Sequence, residues 1–307
     1  THVVHEMVKS FFKRLNLLGS KEDVNELRVS APFRNPDISI SADLIEEIMR
    51  IDGLDNIELP ATIKMSPAIE TGAVAASLKE KVSGWLVGNG FSEIFTNSIT
   101  NSKDFEKPEL AETVKIINSL SEDLDVMRPS MMPTGLESIS YNINRKNSDL
   151  FLFEFGKIYS SVEPGKYFET ESLALYFTGN KRQQGWKKQK EKTDIFYVKG
   201  VCQTIFNIAG LKNYKFSSSK NDHLEDYIVA SLDGIQLAEA GNIKRTFLDK
   251  FSIKQPVFYL YINWQKLLLI SKEEIQFKEI ARFPQVERDR SIILNKSVSY
   301  HSLEDLI

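Results

Sequence analysis

Arg34-Asn35-Pro36-Asp37-Ile38-Ser39-Ile40-Ser41-Ala42-Asp43-Leu44-Ile45-Glu46-Glu47-Ile48-Met49-Arg50-Ile51-Asp52-Gly53 is the stretch from which the rest of the chain is read. Pro36 and Asp37 open a short extended piece, and Ile38 to Ser41 alternates apolar and polar residues. Asp43 reads as a helix N-cap, with Glu46 three residues on completing an Asp-x-x-Glu capping box. Leu44, Ile45, Ile48 and Ile51 supply the apolar face, and Gly53 is the stop. At about 100° per residue, positions 43, 46 and 47 share one sector of the helix start. Asp37, Asp43, Glu46 and Glu47 are thereby able to converge on one point. Spacing leaves two readings open. In one, Asp43 caps, Glu46 reciprocates and the other two are solvated. In the other, four carboxylates without Cys or His make a hard-cation site suited to magnesium or calcium.

The run Arg34-x-x-Asp37-x5-Asp43-Leu44-Ile45-Glu46-Glu47-Ile48-x-Arg50-Ile51-x-Gly53, followed by Asp55-Asn56-Ile57 and Leu59-Pro60, resembles the end of a small domain in bacterial phenylalanyl-tRNA synthetase beta subunits. The resemblance implies that Asp37, Asp43, Glu46 and Glu47 hold Mg2+ near the alpha subunit.

Composition sets the frame. The chain has 307 residues, 42% hydrophobic and 26% charged, the proportions of a globular protein with room for more than one core. A formal charge of −3 gives no global basic field, so any nucleic-acid contact is a local patch. The single cysteine, Cys202, excludes an intrachain disulfide framework and fits a reducing compartment, read here as the cytoplasm. No apolar run reaches the roughly 18 residues of a membrane span. Opening on Thr1, the chain reads as a piece of a longer protein.

Val8, Phe11, Phe12, Leu15 and Leu18 stand at helical spacing over residues 5–18, with Gly19 as the expected end. Leu27 to Ser30 alternates as a strand. With the acidic helix these elements resemble a small winged-helix-like domain over 1–66. Residues 60–72, with two prolines and no periodicity, form the expected linker. A helix over 73–88 carries Ala75, Leu78, Val82, Trp85 and Leu86 on one face, and 91–99 alternates as a strand. Strands are also expected at 114–117, 151–159, 173–179 and 256–264, with a hairpin turned at Asp233-Gly234. Arg128, followed by a helix through about Arg145 and then by Phe153-Glu154-Phe155-Gly156, resembles the beta-subunit version of a class II synthetase core over 73–272. Glu154 admits two readings, a general acid–base or a structural carboxylate paired to backbone or arginine, and the second is preferred. The cationic loop Lys181 to Lys192, with Trp186, admits two readings, RNA contact or a structural loop, and the second is preferred. Phe283 onward, with a strand at Ser291–Leu294, resembles the truncated start of a ferredoxin-like anticodon-binding domain over 278–307.

The expected fold is therefore α+β: a class II synthetase-like antiparallel sheet flanked by helices, preceded by the small domain. The family's working core carries a late Gly-x-Gly-x-x-x-Arg segment for ATP, and this chain has none. The resemblance implies a scaffold within an alpha2-beta2 heterotetramer, docking the catalytic alpha subunit and helping to position tRNA(Phe), with ATP and phenylalanine handled by alpha. Trp85, Leu86 and the acidic patch at 43–47 are the expected flanks of the alpha-facing surface. Two other classes stay open: a self-sufficient class II ligase, and a nucleic-acid-binding regulator built on residues 1–60.

Overall fold

Alternation of apolar residues along one segment has to be matched by a partner surface on each side that it buries, and this requirement organises the larger part of the chain. A computed structural model describes residues 10, 13, 18–21, 27–31, 33, 35–57, 61–62, 65, 72–105, 110–119, 121–163, 165–182, 191–271, 277, 279–284, 286–289, 291–295 and 298. The chain divides into two units, Thr1–Ile69 and Glu70–Ile307.

In the first unit, β1 (Leu18–Lys21) pairs antiparallel with β2 (Leu27–Ser30), Leu18 opposite Ser30 and Lys21 opposite Leu27. Strand β2 is where alternation placed it. Gly19, expected to stop a helix, instead lies inside β1 opposite Val29: the ladder with β2 claims Leu18 and Gly19. Ser10 and Lys13 are helical, and the rest of the expected helix over 5–18, up to Leu18, lies outside the described residues. Helix α1 (Ser41–Asp52) starts two residues before Asp43. It ends at Gly53, whose φ of 99° is open to glycine and whose amide donates to the Met49 carbonyl at 2.8 Å. Most of the linker over 60–72 lies outside the described residues.

In the second unit, α2 (Ala73–Gly88) has the bounds its periodicity gave, and buries Leu78, Val82 and Leu86. The expected strand over 91–99 breaks in two: β3 (Ser92–Glu93) joins the main sheet, and β4 (Ile99–Thr100) pairs with β5 (Val126–Met127). Between them the chain turns so that Thr96 meets side chains described below. The strand expected at 114–117 is reduced to one bridge, Lys115 to Val126. Helix α3 (Met132–Asn144) follows, with Pro133 in its first turn where a missing amide costs nothing.

Long strands β6 (Leu150–Glu163) and β7 (Lys166–Thr178) then form the centre of the sheet. Short strands β8 (Asn180–Arg182) and β9 (Glu191–Lys192) pair beside it. Helix α4 (Ile195–Ile208), strand β10 (Lys215–Ser218), the hairpin β11 (Leu224–Leu232) and β12 (Ile235–Ile243), helix α5 (Arg245–Lys250), strand β13 (Val257–Asn263) and helix α6 (Trp264–Ile270) complete it. Among the described residues the main sheet has the order β10-β11-β12-β13-β7-β6-β3. Its neighbours are antiparallel except β3, which runs parallel to β6, so the expected antiparallel sheet is a mixed one at that edge. The hairpin turns where expected: Asp233 and Gly234 have φ of 51° and 79°, as a two-residue turn of this hand requires. Helix α5 was not foreseen.

Alternation sorts β7 between two cores. Leu173, Leu175 and Phe177 pack with α2, α4 and α6 on one face. Ala174 and Tyr176 pack with α3 and α5 on the other. Gly135 of α3 lies so close to the Tyr176 ring that a β-carbon there would stand 2.0 Å from it. That ring is fixed by its hydroxyl, which donates to the Met131 carbonyl at 2.5 Å. The strand expected at Ser291–Leu294 is not formed: these residues carry no pairing and Ile293 is fully exposed. Most of the remainder of 278–307 lies outside the described residues.

Candidate functional site

Two clusters of side chains could carry chemistry, one in each unit. In the first unit, Ile40 takes the N-cap position of α1 and, being aliphatic, offers no acceptor. Asp43, three residues in, turns back instead. Its carboxylate accepts from the amides of Ser39 at 2.7 Å and Ile40 at 2.8 Å. The expectation that Asp43 caps and Glu46 reciprocates is thus displaced by one turn: Asp43 is the reciprocating residue of a box whose other half is missing. The Ile40 amide first, and the Ser39 amide next, hold its pKa below the ordinary 3.8. Glu47 faces Arg50 one turn on, 2.5 Å from its Nη2. Among the described residues no three His, Cys, Asp or Glu side chains stand together as metal ligands. The expected convergence of Asp37, Asp43, Glu46 and Glu47 is not formed among the described residues: Asp37 precedes the helix, Asp43 is committed to amides and Glu47 to an arginine.

The second cluster is buried. Arg128 leaves β5 and lies 1% exposed; Glu154 lies within β6 and is fully buried. Arg128 Nη1 stands 3.0 Å from Glu154 Oε1, and its Nε donates to the Lys157 carbonyl at 2.8 Å. Thr96, at the break between β3 and β4, closes the network. Its hydroxyl donates to Glu154 Oε2 at 2.7 Å and accepts from Arg128 Nη1 at 2.7 Å, while its amide donates to Oε1 at 3.2 Å. A buried ion pair is tolerable when further hydrogen bonds, such as those from Thr96 and to the Lys157 carbonyl, satisfy its lone pairs and protons. Glu154 is thus paired to Arg128 and to Thr96, the kind of pairing that the structural reading expects.

Sequence reasoning missed Thr96, whose polar run Thr96-Asn97-Ser98 inside an apolar alternation was the available signal. It also missed why Gly156 closes the Phe-Glu-Phe-Gly motif. A β-carbon at Gly156 would stand 2.2 Å from Arg128 Nη2, so the arginine crosses the strand where a side chain is lacking.

Other singled-out residues fall into place. Cys202 is buried in α4, and burial raises its pKa, as for an inert core thiol. Of the cationic loop, Lys181 pairs with Glu191 at 2.9 Å and Asp194 at 3.2 Å; residues 183–190, Trp186 among them, lie outside the described residues. Leu86, expected to flank a partner surface, is fully buried in the core, where its place on the α2 face leads it; Trp85 packs against the same core from its edge.

Known proteins resemble the chain along its length. Residues 59–264 match the family described as the phenylalanyl tRNA synthetase beta chain CLM domain, and residues 1–54 match the tRNA synthetase B5 domain. The phenylalanine–tRNA ligase beta subunit of Bacteroides fragilis is 32% identical over 317 residues, covering 98% of this chain. That of Listeria innocua is 29% identical over 316 residues, covering all of it. The chain spans 39% and 38% of these two relatives' own lengths. In fold, it is similar to the pyrrolysyl-tRNA synthetase of Desulfitobacterium hafniense, with a TM-score of 0.52 at 15% identity over 88% of this chain and 89% of that one. The likeness is one of fold, a sheet flanked by helices of the class II synthetase type.

Proposed function

This chain belongs to the phenylalanyl-tRNA synthetase beta-chain family, and from that premise we propose that it is the scaffolding part of a phenylalanine–tRNA ligase. In this reading it docks a catalytic alpha subunit within an alpha2-beta2 assembly and helps to position tRNA(Phe), while alpha joins phenylalanine to tRNA with ATP. The assembly works in the cytoplasm; among the described residues no helix is long and apolar enough to cross a membrane.

The observation that carries the scaffold reading is the Arg128–Glu154 pair. These are the core's candidates for gripping an anion and moving a proton, and each is spent on the other, on Thr96 and on the Lys157 carbonyl. A catalytic arginine has to reach phosphate and a catalytic carboxylate has to reach its proton. Neither group is open to do so.

Mg2+ at Asp37, Asp43, Glu46 and Glu47 belongs to the same reading. Hard carboxylate oxygens suit that ion, while the placement of Asp43 on amides and Glu47 on Arg50 does not present a ready shell. No catalytic step is routed through the metal.

Phenylalanine-dependent ATP–pyrophosphate exchange, run with and without a cognate alpha subunit, tests the proposal. Exchange is expected with alpha present and absent without it. Exchange by the chain alone would promote the self-sufficient ligase.

A further inference from the structure

We propose that the pocket between α2, the β6–β7 ribbon and α6 binds a small apolar monocarboxylate. The pocket encloses about 260 Å³. It exists because α2 carries Ala75 and Ala76 where, further along, Leu78 and Val82 reach the sheet. Its wall is aromatic: Phe155 and Trp264 stand edge to face, ring centroids 4.8 Å apart, with Leu268 beside them. That wall suits a flat or branched hydrocarbon body.

The charges that line the pocket choose the rest of the ligand. Lys79 holds its ammonium 4.9 Å above the centre of the Phe155 ring, and among the described residues it has no carboxylate partner. Lys79 is exposed, and an ammonium set over a ring face gains from an anion that accepts from it. The other cation is already used. Lys157 is bound to Glu169 at 2.5 Å, and Glu169 first and Glu171 further down raise its pKa. Glu171 lies opposite Lys157 across the ribbon and also lines the pocket. Lys79 attracts one carboxylate and Glu171 repels a second, so a monocarboxylate is preferred to a dicarboxylate.

The probe is 3-phenylpropionate, with 3-phenylpropan-1-ol as its neutral counterpart, titrated into the full chain while the indole N–H signal of Trp264 is followed by NMR. Saturable binding of the acid is expected in the millimolar range or tighter. Lys79→Met should weaken the acid about tenfold and leave the alcohol unchanged, the size of effect expected from one charge-assisted hydrogen bond. Ala76→Trp, an exposed helix position that fills the mouth, should remove binding of both. Absence of saturable binding of the acid to the unmodified chain would overturn the proposal, as would a Lys79→Met variant that binds acid and alcohol in their original ratio.

Discussion

The guanidinium of Arg128 passes directly over the α-carbon of Gly156, leaving no room for a β-carbon between them. The Met131 methyl closes the same space, 2.8 Å from that position. The arginine is held by its bonds to Glu154, Thr96 and the Lys157 carbonyl, so moving it aside breaks them.

Gly156→Ala is accordingly expected to destabilise the fold by about 2–4 kcal/mol, the cost of overpacking joined to a strained buried pair. Urea unfolding of the chain measures it. A shift below 0.5 kcal/mol, the ordinary range of a surface substitution, would show that the arginine moves aside freely.

Glu154→Leu removes one half of the pair and leaves the Arg128 charge buried and alone. About 3–5 kcal/mol should be lost, and the double variant Arg128→Met/Glu154→Leu should recover a large part of it. If the double variant is no more stable than the single one, the pair contributes by shape rather than by charge.

A pH effect follows from a second place in the same unit. Asp104 and Glu137 line one cavity of about 340 Å³ at the start of α3. Burial raises the pKa of both; Asp104 adds to the shift of Glu137, and Lys250 partly offsets that of Asp104. A carboxyl raised on folding contributes stability that is present below its unfolded value, and that is lost as pH rises through the folded one. For Glu137 the loss begins at the ordinary value of 4.5 and extends above it. Glu137→Gln should therefore be more stable than the parent at neutral pH and flatten the decline above pH 4.5. Thermal unfolding across pH reads this, and an unchanged slope would contradict it.

Periodicity was sufficient wherever burial was one-sided or a turn had special needs. It placed α2 over 73–88 and the turn at Asp233-Gly234, because each is dictated by residues within the segment. It failed where distant residues decide. Gly19 is a strand residue because Val29 pairs with it, and the 91–99 segment breaks because Glu154, 58 positions from Thr96, draws that residue out of line. The Arg128–Glu154 pair was visible as two polar residues in apolar surroundings. Its further partners, Thr96 and the open space at Gly156, needed three-dimensional placement.

The last prediction concerns the acidic helix start. Glu47 is held by Arg50 on the next turn, and Asp43 by two amides, so metal ligation has to compete with both contacts. Mg2+ binding on the order of millimolar is expected, since this ion gives up water reluctantly. Removing the competitor should help: Arg50→Ala frees Glu47 and is expected to tighten binding, whereas Glu47→Gln and Asp43→Asn weaken it. Asp43→Asn also loses an anionic acceptor at the helix start, so helix stability falls in that variant whether or not metal binds. The Arg50→Ala variant separates the two roles, because it retains the Asp43 contacts. Magnesium titration followed by calorimetry reads the order of the four proteins. Unchanged affinity in Arg50→Ala, Glu47→Gln and Asp43→Asn alike would return these carboxylates to a purely structural role at the start of α1.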